Sequence, residues 1–293
     1  QKGNHAEAAG VLGPLMQQEP DLALRRWYAL ELLLVGDFDK AQTQYHKAWE
    51  EGDTHQETII NLARLHARKN RFTKAAGLWD EASRRQLIKG ELRWEAALTY
   101  SYAHRYQDAL KTIAPLRAQN TKDPKLLLFS GQLHFYQKHW GQAAHFFSAY
   151  LEQHPRDVEV RRQLAEVLSF EPDTREQAVN QYGEVLKIHD DAGLRLRRIS
   201  LLLEDKRWEE ASRELQTCPI PEDPRLLHLV RGAVPVEADG LACPQRAVVH
   251  PHVHDHAPVH VVVGVEDERL EGRLGIAPRR GNAPHDGLAQ LVH

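Results

Sequence analysis

Apolar residues recur along this chain at helical spacing, in sets such as Leu62, Ala63 and Leu65, then Ala75, Ala76, Leu78, Trp79 and Ala82. Polar, turn-prone breaks separate the sets. Gly36-Asp37, Lys69-Asn70-Arg71 and His139-Trp140-Gly141 fall inside two-helix units, and Gly52-Asp53, Asp123-Pro124 and His154-Pro155-Arg156 fall between them. The pattern predicts helix, short turn, helix, short turn from residue 22 to residue 225.

Comparing the chain with itself gives a period of 34 residues. Ala29, Ala63, Ala97, Gly131 and Ala165 form one ladder of small residues, which Ile199 ends. Ala41, Ala75, Ala109 and Ala143 form a second, continued by Ala178 after a one-residue slip near Glu171-Pro172-Asp173 and by Ala211 back in register. Large residues make two more: Phe38, Phe72, Tyr106, Trp140 and Trp208, interrupted at Arg175, and Tyr45, Trp79, Ile113, Phe147, Tyr182 and Leu215. Small residues at fixed sites let helices cross closely, and large ones fill the space between neighbouring units. The expected fold class is all-α, built from about six antiparallel helix pairs.

These ladders resemble the tetratricopeptide repeat (TPR) family, whose 34-residue unit has small residues at its helix crossings and Pro near its end, a site matched by Pro20 and Pro155. The resemblance covers units starting near Leu22, Gln56, Gly90, Pro124, Val158 and Ala192. It implies a right-handed superhelical solenoid. Residues 1–21 are expected to be the second helix of a truncated repeat, 22–225 the six repeats and 226–233 the start of a seventh. The first-helix Trp and Gly of the family pattern are mostly missing. The third small site holds in Ala48 and Ala82, but Leu116, Tyr150, Val185 and Cys218 replace it elsewhere.

Residues 234–293 break the pattern. They contain no Lys, Ser, Thr, Phe, Trp, Tyr or Met and are rich in residues with GC-rich codons. An out-of-frame tail is one reading, and a disordered linker is another. His250, His252, His254 and His256 alternate, with His260 following, a spacing that on a strand would offer imidazoles to zinc, nickel or copper. No Cys or carboxylate is arranged to complete such a site, so no metal or other cofactor is expected.

Composition narrows the function. A formal charge of -3 gives no global reason for a nucleic-acid partner. No apolar stretch approaches the roughly 20 residues of a membrane-spanning helix. Cys218 and Cys243 are too few for a disulfide framework. The chain starts at Gln1 without a signal-like segment, which fits a fragment and leaves a periplasmic or a cytoplasmic site open. No Gly-rich phosphate loop, Gly-x-Ser-x-Gly elbow or His-Glu-x-x-His motif occurs, so an enzyme is not expected.

In the TPR family the first helix of each unit lines the concave face that receives ligands. The resemblance therefore places Arg26, Asn61, Arg64, Arg68, Trp94, Tyr102, Gln132, Tyr136 and Arg162 on a partner-binding surface. Arginine and aromatic residues carry much of the binding energy at interfaces. The expected function is a scaffold for a protein or peptide ligand. The Trp and Tyr content also resembles, in style, bacterial envelope scaffolds that assist exopolysaccharide export, where an acidic glycan is a second ligand class. A cytoplasmic adaptor, a carbohydrate-binding module and a non-catalytic part of a larger enzyme are the other readings. Asn61 with Arg64 matches part of a terminal-carboxylate clamp, and the sites of an asparagine ladder read Trp27, Asn61, Glu95, Phe129, Gln163 and Arg197.

Overall fold

A computed structural model of the chain describes residues 2–18 and 21–217. Pro20, residues 218–225 of the expected sixth repeat, the expected start of a seventh at 226–233, both cysteines, the histidine run and the atypical 234–293 segment lie outside the described residues. Those described form thirteen α-helices and one short 3-10 turn, and no strand occurs among them. They divide into two compact units, one reaching residue 104 and the other starting at 105.

The first unit holds α1 (Lys2–Gln18), α2 (Leu22–Val35), α3 (Phe38–Glu50), α4 (Gln56–Arg68), α5 (Phe72–Arg84) and α6 (Leu92–Tyr102). The second holds α7 (Tyr106–Gln119), α8 (Pro124–Tyr136), α9 (Trp140–Gln153), α10 (Val158–Leu168), α11 (Arg175–Ile188), α12 (Ala192–Glu204) and α13 (Trp208–Thr217). Within each unit, helices consecutive in the chain pack against one another.

The small-residue ladders form the core. Ala29, Ala63, Ala97 and Ala165 of the first ladder and all six alanines of the second are fully buried. Gly131 explains itself at its position: a Cβ there would lie 2.6 Å from the Phe147 ring, which is also fully buried. Tyr45, Trp79, Ile113 and Tyr182 fill the same layer of their own repeats.

The turns also keep the 34-residue period. Gly36, Asn70, His104, Lys138 and Lys206 all have positive φ, the left-handed turn that ends a first helix and releases a second. Their neighbours close it in the same way, with Asp37, Arg71, His139 and Arg207 donating N–H groups back to Leu32, His66, His134 and Leu202 carbonyls. The remaining position of the series is Pro172, whose ring holds φ negative. There the chain makes a 3-10 turn at Pro172–Thr174 instead, and the slip of one residue follows. A further ladder is visible only in the structure: Asp21, Asp123, Asp157 and Asp191 each cap the first helix of a repeat by accepting backbone N–H groups.

Candidate functional site: the first-helix face

A fixed pairing joins neighbouring repeats. The residue near the end of each first helix meets the first residue of the preceding second helix. The Arg68 guanidinium lies 3.7 Å over the Phe38 ring. Tyr102 stacks on Phe72 at 4.8 Å, Tyr136 on Tyr106 at 5.3 Å, and Phe170 on Trp140 at 4.1 Å between centroids. Where the aromatic series breaks at Arg175, the opposite member becomes Glu204, and the pair is ionic at 3.1 Å. Arg68, Tyr102 and Tyr136 are thus inter-repeat rungs, and each stays half-exposed.

Other predicted site residues are engaged within the chain. Arg26 reaches both carboxylate oxygens of Asp53 at 3.1 and 3.0 Å. Burial pushes the Asp53 carboxyl up, but hydrogen bonds from Thr58, the His55 N–H and Arg26 outweigh it and hold the group below its ordinary range. Arg64 forms a two-pronged pair with Glu95 at 2.7 and 2.9 Å, and Glu95 is only 1% exposed. Asn61 donates to the Tyr45 hydroxyl at 2.9 Å and accepts from Arg64 at 3.3 Å. Tyr45, Asn61, Arg64 and Glu95 therefore form one hydrogen-bonded chain through three successive repeats. Desolvation raises the Tyr45 pKa further above neutrality, so it is a neutral hydroxyl that accepts from Asn61.

In the second unit, Arg162 pairs with Glu159 one turn earlier on the same helix. Gln132 is buried, and its Oε1 has no hydrogen-bond partner. Trp94 is half-buried at the start of α6. The structure gathers Asn61, Arg64 and Arg68 on one helix, α4, while Gln132, Tyr136 and Arg162 belong to the second unit.

One open cleft of about 770 Å³ lies on this face in the first unit. The end of α2 supplies an apolar wall including Leu30, Leu33 and Leu34, and α4 supplies the other wall from Glu57 to Arg68. Leu92 of α6 closes one end. Leu34 is 45% exposed and Trp27, one face along the same helix, is 58% exposed. Sequence reasoning missed Leu30, Leu34 and Glu57. The available signal was α2 itself, which carries more leucines than one buried face needs.

No family model matches the sequence, and no curated protein matches it. Solved structures do. YrrB, a TPR protein with an unusual peptide-binding site, has a TM-score of 0.50 at 18% identity, covering 64% of this chain and 96% of its own. The fold is tetratricopeptide-type. A tetratricopeptide repeat protein from Parabacteroides merdae gives 0.44 at 18% identity over 78% of this chain and 93% of its own. The C-terminal part of a TPR repeat-containing protein from Cytophaga hutchinsonii gives 0.48 at 14% identity, over 76% and 93%. Among the described residues, no helix is long and apolar enough to cross a membrane, and no group of three or more His, Cys, Asp or Glu is placed to hold a metal.

Proposed function

We propose that this chain is a protein-interaction scaffold that receives a peptide segment of its partner along the first-helix face. The observation that carries this is the cleft between α2 and α4, because it joins the exposed Leu34 and the half-exposed Leu30 and Leu33 to polar groups held in fixed positions. Pockets of this size with apolar walls and a few directed polar groups are the usual form of a ligand site. A groove built on packed helices is also preorganised, so little ordering cost falls on the protein when a ligand enters. YrrB, of the same fold, has a peptide-binding site, which supports the same use here.

The cleft favours a peptide over an acidic glycan. Its open wall is made of leucines, Arg64 is already matched by Glu95, and the remaining cation, Arg68, shares the cleft with the Glu57 carboxylate, which would repel a chain of repeated anionic groups. A role in exopolysaccharide export would therefore run through a protein component.

Site-specific photo-crosslinking tests the reading. A benzoylphenylalanine in place of Leu34 or Trp27 should give a discrete adduct with a partner protein in the source cells. The same group in place of Lys74 or Glu209, exposed on second helices, should give none. Adducts from Lys74 with none from Leu34 would place binding on the outer helices and reject the proposal.

A further inference from the structure

The two ends of the α4 wall carry opposite charges, each at the helix end whose dipole favours it and neither in an ion pair with another side chain among the described residues. At its start, the Glu57 carboxylate lines the cleft, and among the described residues it has no ion-pair or hydrogen-bond partner. At its end, Arg68 lines the same cleft. Phe38 covers one face of its guanidinium, and Nη1 is buried without a hydrogen-bond acceptor. A cation stacked in this way presents its donors edge-on, in the plane of the fork. Nη1 is closed off from the cleft, so a carboxylate would meet the donors of this half-exposed guanidinium that are neither buried nor hydrogen-bonded, Nε and Nη2.

The other polar groups of the wall are not available to a ligand. Arg64 is held by Glu95 through two bonds, and Asn61 is committed to Tyr45 on one side and Arg64 on the other. Recruiting Arg64 would leave the buried Glu95 carboxylate without its cation, which is strongly unfavourable. This also removes the Asn and Arg set that a clamp for a terminal carboxylate would need. Of the carboxylates, ammonium groups and guanidinium groups that line the cleft, one acid-seeking and one base-seeking position remain, with the leucine wall between them.

Their spacing follows from helix geometry. Eleven residues separate Glu57 from Arg68, which at about 1.5 Å per residue is roughly 16 Å along the axis. An extended peptide covers that distance in about five residues, at roughly 3.3 Å each.

Resting on the scaffold reading above, we infer that the cleft selects an extended internal peptide segment bearing one Asp or Glu for Arg68, one Lys or Arg for Glu57 about four to five residues away, and a bulky apolar side chain between them against Leu30 and Leu34. The pattern is a property of these residues and not of the repeat in general, since the equivalents of Arg68 in the next two repeats are Tyr102 and Tyr136.

Selection from a random nonapeptide library, displayed within a carrier protein so that no free terminal carboxylate is present, tests it on the full chain. Selected peptides should share the acid, apolar, base order at that spacing. Arg68→Gln should weaken the best of them by at least about tenfold. Arg68→Glu should make the selected acid a base, and Glu57→Lys should make the selected base an acid. A role of Arg68 in packing alone would not reverse the preference. Melting of each variant with the parent midpoint shows that folding is not the cause. If peptides are selected that compete at Leu34 but are indifferent to Arg68 and Glu57, the charge rule fails and the scaffold reading stands. If selected peptides ignore Leu34 as well, or if none is enriched, both fail.

Discussion

Arg64 is predicted to matter more for folding than for binding, and its removal measures the difference. Arg64→Ala deletes the cation opposite Glu95, which is 1% exposed and has no route to water without local opening. Breaking a buried pair from one side costs about 3–5 kcal/mol, because a charge is left without compensation. The Arg64 side chain is 22% exposed, so part of its own hydration survives in the parent and the lower end of that range applies, about 3 kcal/mol. Asn61 loses an acceptor partnership at the same time, which adds no more than about 1 kcal/mol. With a urea slope of about 1–3 kcal/mol per molar, the midpoint should fall by about 1 M or more. The assay is a urea melt followed by helical circular dichroism. Repeat arrays lose cooperativity easily, so the slope must be compared with that of the parent. The double variant Arg64→Met with Glu95→Leu removes both charges and should recover most of the loss. A midpoint for Arg64→Ala equal to the parent's would refute the reasoning, and so would a double variant less stable than the single one.

Four further outcomes follow from the packing and the turns. Gly131→Ala should destabilise by about 1–2 kcal/mol despite its better helix propensity, because the new methyl meets the Phe147 ring, and Phe147→Leu should relieve the penalty in a denaturant melt. Lys138→Gly should raise stability by about 0.5–1 kcal/mol in the same assay, since Lys138 holds φ at 59° where glycine is free of strain. His66 gives a pH dependence: desolvation first, and then the charges of Lys74, Arg71, His46 and Lys69, lower its pKa from 6.5 to about 4, so the unfolded chain binds the extra proton and stability should fall as pH drops from about 6.5 to 4, a slope that His66→Gln should flatten in melts across that window. Removing residues 234–293, whose sequence lacks the repeat pattern, should leave the helical signal and the melting midpoint nearly unchanged.

The neutral state of His66 is also fixed by geometry. Lys69 can only donate, so it takes the Gln42 carbonyl oxygen, and the Gln42 amide must then donate to His66 Nδ1. That nitrogen is an acceptor and therefore carries no proton.

The fold was legible because its signals repeat. A small residue needed at Ala41 is needed again at Ala75 and Ala109, and the register accumulates until even a single slip is visible. The cause of the slip was not legible until the turn was seen. Pro172 occupies the position that asks for positive φ, and an extra residue is the remedy. The aspartate caps escaped notice because their ladder is interrupted at His55 and Lys89. The site was read less well, for an electrostatic reason. An arginine on a predicted inner face looks the same whether its carboxylate belongs to a ligand or to the next repeat. Asp53 lies 27 residues beyond Arg26, in the turn that ends the same repeat, and Glu95 lies 31 residues beyond Arg64, in the next one, so a search for acids at those separations would have found both.

The pairing between the end of a first helix and the start of the preceding second helix has a consequence for how such a gene can change. Each half of a pair lies about 30 residues from the other, so the two halves are inherited on different repeats. Duplicating or deleting one unit rejoins halves that did not evolve together. An aromatic half meets another aromatic harmlessly, so those units are interchangeable. Glu204 is not: placed opposite Phe or Tyr it loses its counter-charge, and a carboxylate set against a ring face is repelled, whereas Arg175 opposite a ring would repeat the Arg68–Phe38 rung. The ionic pair is thus a lock on that junction, permitting shuffling elsewhere among the repeats while holding these two neighbours in their order.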